Sequence, residues 1–371
     1  KEKKMDFNIN RLVLLDALTK VSRAVSLKSP LPILTGIKFD LLEDGLVLTA
    51  SDSDISIQTT INEGIIINQT GSVVLSSKYI LEIIRKIDGE TVHIQVVDGT
   101  LTRITSESSL FDLNGSKSFD FPRIDLNKNG KHFSMKSYEF KKIIEKTLFA
   151  TSEQETRPVL TGVNFKVDQH KLVCIATDSY RLAQVSQPID DDIQFNIVIP
   201  KKSLNQIIHI IEKDEMIDLY VSDRKVLFVI GQYLVLTRLI DGTYPNTSRL
   251  VEDKGSYTMS INSSALLGAI SRASLLSDEQ SNIVKLTMSP DENILSSYSQ
   301  EIGSVEENLT KAFYKGEPMT ISFSAKYLAD AIRSIGTETI QLRFTEKMRP
   351  FQITGLDESD NIQVVLPVRT Y

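Results

Sequence analysis

Residues 157–183 read RPVLTGVNFKVDQHKLVCIATDSYRLA, and residues 31–57 read LPILTGIKFDLLEDGLVLTASDSDISI. The two stretches lie 126 residues apart and share a Leu-Thr-Gly triplet, a run of alternating apolar and polar residues, and an Asp-Ser pair near the end. Alternation with a period of two marks antiparallel strands with one wet face. The chain therefore repeats a folded unit.

The repeat is threefold. The segments YILEIIRKI (79–87), SLNQIIHII (203–211) and YLADAIRSI (327–335) are spaced 124 residues apart, twice. Their apolar residues are Ile80, Ile83, Ile84 and Ile87, then Leu204, Ile207, Ile208 and Ile211, then Leu328, Ala331, Ile332 and Ile335. Each set has the i, i+3, i+4, i+7 spacing of a helix with one buried stripe. Ser76, Ser77 and Ser324 are predicted caps for these helices, and Pro200 is tolerated at a helix start. A second helix set is predicted in FNINRLVLLDALTKV, FSMKSYEFKKIIEKT and MSINSSALLGAISRA, aligned from Phe7, Phe133 and Met259 at intervals of 126.

Short alternating runs such as GIKFDLL, ISIQTTI and VHIQVV fill the intervals, with turns at Asp44-Gly45 and Asp98-Gly99. Each third thus reads strand, helix, three strands, then the same again. This predicts an α+β fold of three similar domains, 1–127, 128–253 and 254–371, divided in the polar stretches 122–132 and 251–257. A period of this length is domain triplication, since solenoid repeats run about 20–50 residues.

Composition narrows the function. With 41% hydrophobic and 24% charged residues, the chain has a globular balance, and no apolar run approaches the about 20 residues that span a bilayer. The single cysteine, Cys174, has no internal partner and suits a reducing cytoplasm. The N-terminus lacks the apolar core of a secretory signal; Met5 reads as a natural start and Lys1 to Lys4 as an appendage. Four scattered histidines give no zinc spacing, and there is no glycine-rich phosphate loop or Gly-x-Ser-x-Gly elbow. The expectation is a non-enzyme without metal or cofactor. Asp52 and Asp178, at matching positions, read as turn formers.

Charge is unevenly distributed. Six helices taken as 8–25, 76–87, 136–148, 201–213, 262–276 and 324–335 sum to +10, leaving −16 elsewhere for the net −6. Lys and Arg also decorate ordinary solvent-facing helices. If the six share one side of an assembly, they present a positive field to a polyanion. Lys20, Arg23, Arg85, Lys86, Lys142, Lys146, Lys201, Lys202, Arg272 and Arg333 are the candidate phosphate contacts, with no base reading. Few aromatic residues on these helices are available for stacking, which favours duplex over single-stranded DNA.

The triplication, ATDSYRLA (176–183), DGTYPNTSRL (241–250) and VVLPVRTY (364–371) together resemble the bacterial sliding clamp family, the beta subunit of DNA polymerase III. The resemblance covers residues 5 to 371. It implies a head-to-tail homodimeric ring of six domains, sheets outside and helices inside, around duplex DNA. It also implies tethering of replicative polymerases and repair proteins, and opening by a separate clamp loader.

By matching motif positions, a pocket for short linear motifs would use Leu160, Thr177, Ser179, Tyr180, Arg181, Leu182, Pro245, Arg249, Leu250, Val364, Leu366, Pro367, Val368 and Arg369. Arg181 or Arg249 would orient carbonyls or carboxylates. The family commonly has Gly and then His or another aromatic after the Asp, where this chain has Ser179 and Tyr180. The resemblance further implies DNA contacts by Lys28, Gln154 and the Lys201–Lys202 pair, and a dimer interface of Phe111 and Leu113 against Leu275 and Leu276.

Overall fold

The computed structural model describes residues 4–26, 28–252, 255–276, 282–358 and 360–369. Residues 1–3 of the proposed appendage Lys1 to Lys4, and the boundary at 253/254, lie outside them. The first third contains β1 (Asp6–Asn10), α1 (Arg11–Val21), β2 (Gly36–Leu41), β3 (Leu46–Ser51), β4 (Ile55–Ile61), β5 (Ile65–Gln69), β6 (Gly71–Ser76), α2 (Ser77–Lys86), β7 (Thr91–Asp98), β8 (Leu101–Thr105) and β9 (Leu110–Asn114). The second contains β10 (Lys131–Lys136), α3 (Ser137–Thr147), β11 (Gly162–Asp168), β12 (Lys171–Thr177), β13 (Arg181–Pro188), β14 (Phe195–Pro200), α4 (Lys201–Ile208), β15 (Met216–Val221), β16 (Lys225–Ile230) and β17 (Tyr233–Arg238). After a short α5 (Ser248–Glu252), the last third contains β18 (Tyr257–Asn262), α6 (Ser263–Ala273), β19 (Ile283–Met288), β20 (Asn293–Ser299), β21 (Gly303–Asn308), β22 (Phe313–Lys315), β23 (Met319–Ser324), α7 (Ala325–Ile335), β24 (Thr339–Phe344), β25 (Phe351–Gly355) and β26 (Asn361–Val365).

The second third has the element order read from the sequence, and the other two each add one strand, β5 or β22. One backbone hydrogen bond recurs in all three. The first residue of the first helix donates at 2.8 Å to a carbonyl just before the strand that follows the second helix: Arg11 to Glu90, Ser137 to Glu215, and Ser263 to Glu338.

The first helices begin later than predicted. Residues 7–10, 133–136 and 259–262 are strands, with Phe7, Phe133 and Met259 buried in them. Phe7 and Ile9 alternate with polar residues, a strand period. Asn10 then starts α1 by accepting from Leu12 N (3.0 Å) and Val13 N (3.2 Å), and Asn262 accepts from Ala265 N (3.0 Å). Ser324 caps α7, whereas Ser76 makes no capping bond and Ser77 is buried inside α2. Pro200 closes β14, and α4 stops at Ile208, where His209 N to Gln206 O (3.2 Å) and Ile210 N to Ile207 O (3.0 Å) tighten the last turn.

Among the described residues all strand pairings are antiparallel, in four sheets. Two run β5-β1-β7-β8-β9 and β10-β15-β16-β17-β4-β3-β2-β6; the other two run β14-β11-β12-β13-β26-β25-β24-β18-β22 and β21-β20-β19-β23. The larger sheets join repeats: β4 pairs with β17, and β13 with β26. Accordingly the chain forms two compact units, Lys1–Phe140 with Lys202–Leu239, and Lys141–Lys201 with Ile240–Tyr371, which divide the second repeat between its neighbours. Ile80, Ile84, Leu204, Ile207, Leu328 and Ile332 are buried as their spacing predicts, each contributing about 1.5–3 kcal/mol. Among the described residues no helix is long and apolar enough to cross a membrane.

Candidate functional site

The stretch after β12 is a tight turn built by side chains. Asp178 Oδ1 accepts from Tyr180 N (2.9 Å) and Arg181 N (3.0 Å). Thr177 Oγ1 accepts from Ser179 N (3.2 Å) and donates to Arg181 O (2.6 Å). The turn forces Ser179 to φ 77°, the left-handed region. Asp178 is thus a turn former, as its sequence position suggested.

The C-terminal segment is tied to this turn. Arg181 and Leu182 stand opposite Val365 and Val364, and Leu366 N donates to Tyr180 O at 3.0 Å. Val368 N then donates to Ser322 O at 2.7 Å. On the same unit, α5 is held by Gln352 Nε2, which donates to Leu250 O (2.9 Å) and Val251 O (3.0 Å). Leu160 packs with Val198 and Tyr244, residues that precede or follow the turn by sequence but share a cluster with Ile175 at its base.

The matched pocket residues all belong to the unit Lys141–Lys201 with Ile240–Tyr371, at different depths. Leu160, Thr177, Leu182 and Val364 are buried. Leu250, Leu366, Pro367 and Val368 are half-buried, while Ser179, Tyr180, Pro245, Arg249 and Arg369 are exposed. Tyr180, the single aromatic in this set, is 62% exposed.

Arg181 differs from its expected role. Its guanidinium pairs with Asp178 Oδ2 (3.0 Å) and Asp330 Oδ2 (2.7 Å), and lies over the rings of Tyr327 (4.5 Å) and Phe149 (5.2 Å). Only 11% of the side chain is exposed. Its Nε and Nη1 donors are committed internally, whereas Arg249 and Arg369 are exposed. Phe149, Tyr244, Tyr327 and Asp330 were missed from the sequence. Tyr244 immediately precedes Pro245 in a quoted motif, and Tyr327 and Asp330 lie three apart on one face of α7, so a partial signal existed. Burial pushes the Tyr244 hydroxyl well above the usual phenol range.

The candidate DNA contacts divide by partner. Lys20 is a correction: it is 6% exposed, pairs with Glu212 (2.8 Å) and Asp16 (2.9 Å), and sits over Tyr233. Burial would push its ammonium down, but those hydrogen bonds outweigh it and hold the pKa above the ordinary lysine value. Arg23 is half-buried and donates to Gln206. Lys146 is also largely enclosed, near Glu358 at 3.8 Å, and burial lowers its pKa.

Arg85 and Lys86 pair with Glu82, Lys201 with Glu153, Lys202 with Asp52, Arg272 with Glu307, and Arg333 with Asp330. Lys28, Lys142 and Gln154 are exposed, and among the described residues neither lysine forms an ion pair. Most of the candidate helical cations are thus paired with neighbouring carboxylates, which damps the positive field they present. The interface candidates lie on outer elements: Phe111 (38% exposed) and Leu113 on one face of β9, and Leu275 (75% exposed) with Leu276 after α6. Among the described residues no cluster of three or more His, Cys, Asp or Glu is placed to hold a metal ion.

Three family models match the chain. The DNA polymerase III beta subunit N-terminal domain matches residues 5–125, its central domain 134–246, and its C-terminal domain 249–369. The beta sliding clamp of Bacillus subtilis (strain 168) is 40% identical over 378 residues, spanning 99% of this chain and 100% of that protein. The crystal structure of the Bacillus subtilis DNA polymerase sliding clamp superposes with a TM-score of 0.95 at 39% identity, covering 99% of this chain and 100% of that one. A Bartonella birtlesii sliding clamp, solved bound to griselimycin, superposes with a TM-score of 0.93 at 26% identity over 99% of this chain and 100% of that one.

Proposed function

Because the chain belongs to the DNA polymerase III beta subunit family, we propose that it is a processivity factor, a sliding clamp that encircles duplex DNA and tethers the replicative polymerase. The family is a non-catalytic one. The domains are 1–127, 128–253 and 254–371, and the working location is the cytoplasm.

The observation that carries this reading is the junction between repeats. In β4–β17 and again in β13–β26, the third strand after one repeat's first helix pairs with the third strand after the next repeat's second helix. The same rule assigns β21 to β9, and both are outermost strands of their sheets. Pairing β21 of one copy with β9 of another satisfies both edges twice in a dimer, which closes head to tail. Phe111 and Leu113 on β9 would then meet Leu275 and Leu276.

Six helices per copy would face the duplex. Lys28, Lys142 and Gln154 would touch phosphates directly, and Arg85, Lys86, Lys201, Lys202, Arg272 and Arg333 more weakly through their shared carboxylates. Such contacts hold no sequence register, so closure retains the protein while it slides. The surface around Tyr180, Arg249 and Leu366 would receive extended linear motifs of polymerases, the clamp loader and repair proteins, with apolar anchors over Leu160 and Leu182. The test is topological: loaded by its clamp loader onto nicked circular DNA, the protein stays bound, and linearising the DNA releases it. Retention on linear DNA with free ends would overturn the proposal.

A further inference from the structure

The four sheets have eight outermost strands, and most are blunted. Along β6, Val74 and Ser116 exchange backbone hydrogen bonds (3.0 and 2.8 Å). On β14, Val198 O accepts from Ile240 N (2.9 Å), and on β23, Ser322 O accepts from Val368 N (2.7 Å). β10 exposes Lys131, His132 and Lys136, and β22 has three residues. β9 and β21 are taken up by ring closure, a step that rests on the function proposed above. Among the described residues that leaves β5.

β5 reads IIINQ and contains no charge and no proline. Native edges are normally protected by such residues, because the unpaired backbone of an outer strand is a template for another strand. Ile66 is 66% exposed, with Ile65 and Ile67 half-buried. Leu12 (62%) and Val13 (40%) extend the apolar surface, and a Cβ on Gly64 would lie 3.8 Å from Val13 Cγ2. A groove of about 400 Å³ beside the strand is lined by Glu43, Ile67, Asn68, Gln69 and Thr70. Glu63 precedes the strand, and Glu43, Asp44 and Glu63 are all exposed and, among the described residues, without ion pairs. The strand itself is anchored, since Asn68 Nδ2 donates to Asp6 Oδ1 at 2.7 Å.

We propose that the outer edge of β5 docks an extended segment of a partner protein in which apolar residues alternate with Lys or Arg. The open backbone supplies general affinity, the isoleucines accept the apolar residues, and carboxylates at both ends select cations. The same carboxylates disfavour a second copy. A twofold antiparallel β5–β5 pairing sets Glu63 of each chain toward the Glu43 end of the other, with like charges opposed.

The experiment is amide hydrogen exchange on the intact protein with a blocked peptide of about nine residues alternating Val and Lys, against one alternating Val and Glu. The Val-Lys peptide should slow exchange at residues 65–69 by about tenfold or more. The Val-Glu peptide should leave it unchanged, and the Glu43→Lys/Glu63→Lys variant should exchange the two results. Both carboxylates are exposed, so this variant keeps the fold. Protection by both peptides alike, protection only outside 65–69, or protection that rises with protein concentration without peptide would overturn the proposal. The mass of the protein in the same samples separates the two readings: a monomer with β5 protected would sink the ring and leave this docking edge standing.

Discussion

The turn at Ser51–Ile55 and the turn at Thr177–Arg181 have the same backbone and different surfaces. Asp52 Oδ1 accepts from Asp54 N (3.0 Å) and Ile55 N (2.9 Å), as Asp178 does from Tyr180 and Arg181. Ser53 has φ 82° and Ser179 has φ 77°. Arg238 N donates to Asp54 O (2.9 Å) where Leu366 N donates to Tyr180 O (3.0 Å). Beyond these bonds the two diverge. The first turn ends in Asp54 and a fully buried Ile55, the second in an exposed Tyr180 and an Arg181 locked between two rings and two carboxylates. The Asp-Ser turn is therefore a shared scaffold, and the two turns differ in the two residues that follow it.

The largest expected effect comes from the charges that the two turns hold. Arg181→Ala strands Asp178 and Asp330 in a mostly enclosed site, and breaking such a pair from one side costs about 3–5 kcal/mol. Lys202, the partner of Asp52, is 57% exposed although the Asp52 side chain is only 3% exposed; that carboxylate keeps its bonds from Asp54 N and Ile55 N, so Lys202→Ala should cost less than Arg181→Ala, about 1–2 kcal/mol. Urea unfolding of the two variants measures the contrast directly. Equal losses would mean that Arg181 is no more structural than a surface cation.

Next in size are the binding effects. Removing residues 366–371 takes away the half-buried side chains beside Tyr180 and should abolish binding of a polymerase-derived motif peptide, while the dimer mass is unchanged. Tyr180→Ala should weaken the same peptide by about 1–2 kcal/mol, the range of an aromatic anchor. The matching change in the first turn, Asp54→Ala, should leave the affinity where it was. Fluorescence anisotropy of a labelled peptide reads all three. Peptide affinity that survives the truncation would remove the pocket assignment.

The sequence revealed most of this architecture because the chain contains its own comparison. Three copies of one apolar stripe fixed α2, α4 and α7, and Phe7, Phe133 and Met259 aligned correctly even though they belong to strands. The helix predicted over 8–25 starts too early because β1 runs straight into α1, with only the cap Asn10 to mark the change, whereas the starts predicted at 136 and 262 fall next to those of α3 and α6. At the candidate site the turn was legible, since its bonds span two or three residues. The fate of Arg181 was not: Asp330 lies 149 residues away. Lys20 was misread for the same reason, because Glu212 reaches it from a distant part of the chain. A helical cation shows its charge in the sequence; its neutralising partner is set by tertiary packing.

The finest comparison is the serine at positive φ in each turn. A residue with a Cβ pays about 1–2 kcal/mol in the left-handed region, and among the described residues neither the Ser53 nor the Ser179 hydroxyl makes a hydrogen bond that would offset it. Glycine removes that strain but gains freedom in the unfolded chain, which returns part of the benefit. Ser53→Gly and Ser179→Gly should therefore each stabilise the protein by about 0.5–1 kcal/mol in urea unfolding. The gains should match, because the two backbones are bonded alike. Only Ser179→Gly should alter peptide affinity, since only that turn carries the tyrosine and the arginine whose positions the backbone sets. A shift in affinity from Ser53→Gly, or gains that differ by more than about 0.5 kcal/mol, would show that the two turns are not one scaffold used twice.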